Sequence, residues 1–355
     1  MKILITGICG FVGSSLAEEL LRQGSGTSIL GIDNFMRHGS EMNRARLKKA
    51  GIVCIHGDIR AMSDWESLPK TDWVIDAAAN PSVLAGIQMG FTGRQLLEHN
   101  LTSLVNVLEY CKLHSAGLIL LSSSRVYSIP ILTSIPLYVY EDSFRLDESA
   151  ALPAGLSSRG IGPDFATTPP ISLYGSTKLA SEVIALEYGG AFKFPVWVNR
   201  CGVLAGAGQF GTPDQGIFAY WINAHLRRRT LRYIGFGGSG KQVRDLFHPF
   251  DLATLISKQI KSERTDGRRI YTVGGGIKNS MSLAQLNSWC DKQFGAHVPI
   301  PDTRPRDYDV PWIVMDNEHV EHDFEWQVQR KMEYILDEIA RHAEQNADWL
   351  ERSGL

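Results

Sequence analysis

Three short stretches hold residues whose types and spacing could do chemistry. The first is Thr6-Gly7-Ile8-Cys9-Gly10-Phe11-Val12-Gly13, near the start of the chain. Glycines there let a ligand approach backbone N–H groups, and at a helix start the dipole favours negative charge, so a pyrophosphate would fit. Asp33 follows Gly13 by 20 residues. A carboxylate at that distance could accept hydrogen bonds from both hydroxyls of an adenosine ribose and would repel a 2′-phosphate, which predicts NAD rather than NADP. Arg37 nearby works against that preference. The second stretch is Tyr174-Gly175-Ser176-Thr177-Lys178. Tyrosine and lysine at i and i+4 share one helix face. An ammonium beside a phenol favours the phenolate, which can take a proton from a substrate hydroxyl as hydride leaves the carbon. The third is Ser122-Ser123-Ser124, where a hydroxyl could hold the reacting oxygen. Asp58 either meets an adenine or simply ends a strand.

Elements that could position these groups are readable around them. Lys2–Thr6, Ser28–Ile32, Ile52–Ile55, Trp73–Ala77 and Gly117–Leu121 are short apolar runs of the kind found in strands buried on both faces. Ser14–Arg22 and Leu101–Cys111 have helical periodicity. This alternation predicts an α/β chain, a doubly wound parallel sheet. The serines then stand at a carboxyl strand end, where ligands of such sheets bind. Residues 129–170 read as a long loop with short elements, a kind of loop that is usually functional or disordered. Ser172–Tyr188 is expected as a helix and Val196–Val198 as a strand. From Gly206 the pattern breaks into short elements, and Gln327–Trp349 reads as an amphipathic helix.

Composition narrows the class. The 355 residues carry 36 Lys+Arg against 38 Asp+Glu, and 44 % of them are hydrophobic. A disordered chain is excluded, and a partner held by bulk positive charge, such as a nucleic acid, is disfavoured. Arg227-Arg228-Arg229 is expected to be a solvated helix end. Five scattered cysteines without C-x-x-C suggest neither disulfides nor a zinc site, so no metal is expected. No apolar run is long enough to span a membrane, and a cytoplasmic protein is expected. Glycine, at 34 residues, is about a tenth of the chain against a usual ~7 %. Backbone must therefore come close to something.

T-G-x-x-G-x-x-G, the acid after the second strand, the serines before Val126-Tyr127, and Y-x-x-x-K together resemble the extended short-chain dehydrogenase/reductase superfamily over about residues 1–320. The resemblance implies a Rossmann-type domain, 1–205 plus about 245–275, and a smaller C-terminal substrate lobe from 206–244 and 276–355. It implies Ser123, Tyr174 and Lys178 as the catalytic set, because the family's hydroxyl lies three positions before the valine of V-Y. Around a tightly held NAD it places Gly7, Gly10, Phe11, Val12, Gly13, Asp33, Asn34, Arg37, Asp58, Ile59, Ala77, Ala78, Ala79, Asn100, Tyr174 and Lys178. Arg244-Asp245 with His248 and Asp251 resembles R-D-x-x-H-x-x-D, and Arg304-Pro305-Arg306-Asp307 resembles R-P-x-D. In both segments the first arginine binds the diphosphate of a nucleotide sugar.

Family dehydratases carry an acid pair after the catalytic hydroxyl, and sugar-acid decarboxylases a nearby Glu. Here Ser124 and Arg125 follow, so elimination lacks its acid and base, and epimerisation or net reduction remains. Residues 164–178 and 206–216 look like the CDP-tyvelose/CDP-paratose 2-epimerase branch, as does the separation of 51 positions between Ser123 and Tyr174. That branch implies a CDP-6-deoxy- or dideoxyhexose, with Ser124, Arg125, Gln209, Phe210 and Gln215 on the substrate side and Asp214 in the same loop. Alternatives are a 4-epimerase or 4-ketoreductase of a UDP-, dTDP- or GDP-sugar, or a non-catalytic NAD-binding regulator. Relatives suggest a homodimer or homotetramer. Two positions depart from the family: Asp76 stands where His is usual, and Ser128 follows Val126-Tyr127 in place of glycine.

Overall fold

The apolar runs fold as strands of one sheet in the computed structural model, which describes residues 1–24, 26–87, 92–264 and 267–355. Lys2–Thr6 (β1), Ser28–Asp33 (β2), Val53–His56 (β3), Trp73–Asp76 (β4), Gly117–Ser123 (β5) and Val196–Cys201 (β6) pair in parallel, and Ile270–Val273 (β7) adds a seventh strand. The order is β3-β2-β1-β4-β5-β6-β7, the doubly wound Rossmann-type arrangement that the sequence implies.

Alternation along the strands divides the core. Ile3, Ile5, Ile75 and Ile119 point to one face and meet Leu16 and Leu20 of the helix Phe11–Gln23 (α1). Leu4, Val74 and Leu118 point to the other and meet Leu104, Val107 and Leu108 of Ser103–His114 (α2). Ser172–Phe192 (α3) joins that second face through Ala185. Each such buried aliphatic side chain contributes about 1.5–3 kcal/mol.

The second lobe is more regular than expected. It holds the helices Ile217–Leu226 (α4), Leu283–Phe294 (α6) and Met332–Gln345 (α7), with Pro249–Lys261 (α5) returning to pack on α1. The helix α4 escapes a periodicity search because Phe218, Ala219, Trp221, Ile222 and Ala224 bury it nearly all round. The strand Val243–Phe247 is the hub of a small sheet. It pairs with Val203–Leu204, Ser280–Ser282 and Trp312–Ile313. Part of the segment expected in the lobe crosses back, since Val320, Phe324 and Trp326 lie in the core beneath α1 and α5.

The terminal helix begins at Met332, later than Gln327, because the chain before it is pinned extended: Arg330 N donates to Asp251 Oδ2 at 3.0 Å and its guanidinium pairs with Asp251 Oδ1 at 2.7 Å. Residues 129–170 are ordered as a helix, Ile129–Ser134, and two hairpins over a core that includes Tyr127, Phe165 and Trp312. The arginine triplet follows the end of α4, with Arg228 and Arg229 exposed as expected, but its side chains are not idle. Arg227 donates to the carbonyls of Ala343, Asn346 and Ala347, and Arg228 to those of Phe294, Gly295 and Ala296. They cap the C-terminal ends of α7 and α6, where cations are favoured. Among the described residues no helix is long and apolar enough to cross a membrane. All five cysteines are free, and four are buried.

Candidate active site

The strand order reverses between β1 and β4, so the loops leaving those strands diverge and open a crevice at their carboxyl ends. A cavity of about 610 Å³ fills it and runs from the glycine loop to the second lobe.

At one end, β1 delivers the chain into a turn that only glycine can make. Gly7 has φ +63°, and a Cβ on it would stand 2.9 Å from Ala78 Cα. A Cβ on Gly13 would stand 2.2 Å from the Gly7 carbonyl oxygen. The helix α1 then starts at Gly10 with no side-chain cap and no acidic residue in its first turn. A cradle that a Cβ would fill, below an uncapped helix start, fits a pyrophosphate. Asp33 ends β2 and lines the same space. Its Oδ2 accepts Cys9 N at 2.9 Å and its Oδ1 accepts Phe35 N at 2.8 Å. It therefore ties down the glycine loop besides facing the ribose position. Burial pushes its carboxyl above the usual range, against three backbone N–H groups.

Phe11, Val12, Asn34, Arg37, Ile59, Ala77, Ala78 and Ala79 also line this half. Asp58 lines it too, held well below the usual carboxylate range by Arg60, which pairs with it at 2.6 Å. Asn100 is a correction. It sits behind the wall in a π-helical turn, Glu98–Thr102, accepting Asn80 N at 2.8 Å and donating to Asn80 O at 2.9 Å. Its amide is spent on shaping the loop after Ala79, away from the cavity. Asp76, in place of the usual His, is buried and accepts the Thr6 hydroxyl at 2.6 Å, while that hydroxyl accepts Ala77 N and Ala78 N. Burial raises its carboxyl, and Lys178 opposes this.

The catalytic candidates meet at the middle of the cavity. Ser123, Tyr174 and Lys178 all line it. Ser123 ends β5, and its Oγ accepts Arg125 N at 3.1 Å. Lys178 is buried and donates to the Leu121 carbonyl at 3.0 Å. Tyr174 packs against Val83, Leu84, Ala85 and Leu96. The entry to α3 bends sharply: Ser172 has φ +72°, a strained conformation for a non-glycine residue, and its Oγ accepts Gly175 N at 3.0 Å. Gly175 is a residue the motif contains but sequence reasoning passes over. A Cβ there would stand 2.2 Å from the Arg125 carbonyl oxygen, so glycine alone lets α3 approach the serine turn. Behind the serines, Ser122 Oγ donates to Glu182 Oε1 at 2.5 Å, and Glu182 pairs with Arg200 at 2.7 Å. This pair is almost fully enclosed, at 1 % and 6 % side-chain exposure. It ties β5, α3 and β6 together.

The far end carries arginines. Arg244 leaves the hub strand and pairs with Asp309 at 2.9 Å. Arg304 is the second correction. Its side chain is 80 % exposed, paired with Asp302 at 2.6 Å, and outside the cavity wall. Arg306 lines the cavity in its place and pairs with Asp214 at 2.6 Å. The R-x-x-D spacing occurs twice, as Arg304…Asp307 and as Arg306…Asp309. The second register is the one that brings its arginine and its aspartate to the cavity. Ser124, Arg125, Gln209, Phe210 and Gln215 line the wall as well. Gly235–Gly240 does not; it supports the strand pair Arg232–Ile234 with Ile300–Asp302. Arg37 reaches across from the Asp33 side to Gln215 Oε1 at 3.3 Å and to the Phe210 carbonyl.

Comparison with known proteins agrees with this geometry. Residues 3–274 match the model of the NAD dependent epimerase/dehydratase family. A CDP-paratose 2-epimerase from Salmonella typhi is 26 % identical over 332 residues, 92 % of this chain and 94 % of that one. UDP-glucuronate 4-epimerase 3 from Arabidopsis thaliana is 29 % identical over 314 residues, 85 % of this chain and 62 % of that one. A UDP-glucuronic acid 4-epimerase from Bacillus cereus, solved with UDP-glucuronic acid and NAD, has a TM-score of 0.77 at 21 % identity, covering 97 % of this chain and 99 % of that one. At that identity the likeness is one of fold.

Proposed function

This chain belongs to the NAD-dependent epimerase/dehydratase family and has NAD as its cofactor, and from that premise we propose that it inverts one carbon of a nucleotide-linked sugar through a transient keto-sugar. The observation that carries the reading is convergence. One cavity holds the glycine cradle, then Ser123, Tyr174 and Lys178, then Arg244 and Arg306. The chemistry supplied by bound NAD is acceptance of two electrons and their return. The chain's own residues handle the proton. Tyr174 Oη takes it from the sugar hydroxyl and gives it back after the ketone has turned its other face. Lys178, fixed on the Leu121 carbonyl, keeps a positive charge near that oxygen. Ser123 Oγ donates to the reacting oxygen. Ser124 and Arg125 follow Ser123 where family dehydratases carry their acid pair, which supports epimerisation over elimination. Arginine forks suit the diphosphate, which assigns Arg244 and Arg306 to it.

The likeness to a CDP-paratose 2-epimerase along nearly the whole chain, with the resemblance of residues 164–178 and 206–216, supports a CDP-linked hexose and inversion at C2. The likeness to UDP-glucuronate 4-epimerases supports a second reading, C4 of a UDP-sugar. The deciding experiment is incubation with CDP-, UDP- and dTDP-hexoses in heavy water, followed by NMR. Inversion at C2 of a CDP-sugar without solvent deuterium is expected. Inversion at C4 of a UDP-sugar selects the second reading, and deuterium at the inverted carbon overturns the keto-sugar scheme.

A further inference from the structure

The helix α3 carries Tyr174 and Lys178, and every residue it buries between Tyr174 and Ala185 is glycine or polar. Hydrophobic contact is non-directional and finds few large side chains to grip along this face. The register of α3 on β5 therefore rests on directional bonds. Two are present. Lys178 Nζ donates to the Leu121 carbonyl at 3.0 Å, and Ser122 Oγ donates to Glu182 Oε1 at 2.5 Å. Tyr174, Lys178 and Glu182 follow one another at steps of four residues, about 6 Å apart on one helix face.

Glu182 is a fixed acceptor. Arg200 reaches its Oε1 from Nε at 3.0 Å and its Oε2 from Nη2 at 2.7 Å. Arg200 is itself held at Nη1 by the Pro163 carbonyl, 2.8 Å away. Ser122 and Arg200 are register partners on the neighbouring strands β5 and β6. One carboxylate thus spans a cross-strand pair, and it cannot swing without unpairing a buried guanidinium. Buried ion pairs are weak contributors to net stability, and their best-attested use is to specify register. We propose that Ser122 and Glu182 are positioning residues for the reaction: their hydrogen bond sets the register of α3 on β5 and so brings Tyr174 Oη and Lys178 Nζ into line with Ser123 Oγ. This rests on the reading that these three groups handle the proton of a nucleotide sugar. It also divides the adjacent serines. The Ser122 hydroxyl hydrogen is committed to Glu182, which leaves Ser123 to donate to the reacting oxygen.

The test is Ser122→Ala, which removes the pin and leaves the bonds between Glu182 and Arg200 in place. With a CDP- or UDP-hexose that the wild type inverts, kcat should fall roughly 10- to 100-fold, the effect of misplacing reacting groups by about 1 Å, while KM stays unchanged. NAD affinity by calorimetry and the denaturant midpoint should stay near their wild-type values. Ser122→Thr keeps the hydroxyl and should restore most of kcat. A loss of kcat matched by a loss of NAD affinity, or by a large drop in midpoint, overturns the proposal, because it marks damage to the fold in place of misalignment. A wild type that inverts no CDP-, UDP- or dTDP-hexose breaks the nucleotide-sugar reading and this proposal with it. An active wild type with an equally active Ser122→Ala breaks only the positioning role.

Discussion

The two ends of the cavity are built on different principles. The cofactor end is made of main chain: a turn of glycines, an uncapped helix start and alanine backbone after β4, all from strand ends of one sheet. The substrate end is made of side chains. Arg125, Arg244 and Arg306 come from three distant segments, and two of them are held by aspartates from elsewhere in the chain, Arg244 by Asp309 and Arg306 by Asp214. A main-chain site is specified by short-range pattern and tolerates little change in shape. A side-chain site is specified by long-range assembly and can be retuned one residue at a time.

That contrast can be broken by measurement. The largest effect is expected at the seam, where Tyr174→Phe should lower kcat by ~10²–10⁴ while NAD stays bound; near-normal turnover would remove Tyr174 as the base. Next is Glu182→Gln, which leaves Arg200 buried without its partner and should cost about 3–5 kcal/mol. Denaturant midpoints would register it, and an unchanged midpoint would mean that the ion pair does not hold the seam. Asp33→Ala removes a ribose acceptor and frees Cys9 N from its tether, so NAD affinity should fall roughly 10- to 150-fold and NADP discrimination should relax. If only discrimination changed, the glycine loop would stand without Asp33. The smallest and most selective test sets Arg306→Ala against Arg304→Ala. The first should raise KM about tenfold. The second removes an exposed pair worth ~0–1 kcal/mol and should leave KM within about twofold; the reverse result would restore Arg304 to the site.

The same contrast explains what could be read beforehand. All five apolar runs of the first third became strands, because strands buried on both faces announce themselves as continuous apolar stretches. Ser123, Tyr174 and Lys178 share the cavity because each sits at a strand end or on the helix face the motif dictates. What escaped depended on contacts across the chain. The two R-x-x-D registers are equivalent until the fold turns Arg306 inward and Arg304 out. Asn100 has the composition of a ligand-binding residue, yet its amide is consumed by the Asn80 backbone. The helix α4 hid because it is apolar on nearly every side. The second duty of Asp33, steadying Cys9 N, involves a partner 24 residues away that no spacing rule singles out.

One small turn joins the two ends. Thr212 and Gln215 close it with reciprocal backbone bonds of 2.7 and 3.1 Å. Its Gln215 holds Arg37 on the cofactor side, and its Asp214 holds Arg306 on the substrate side. The two ties differ in shelter: the one to Arg37 is half-buried and the one to Arg306 is exposed. Four residues thus couple the two halves of the cavity, and a change in this turn would reach both of them at once.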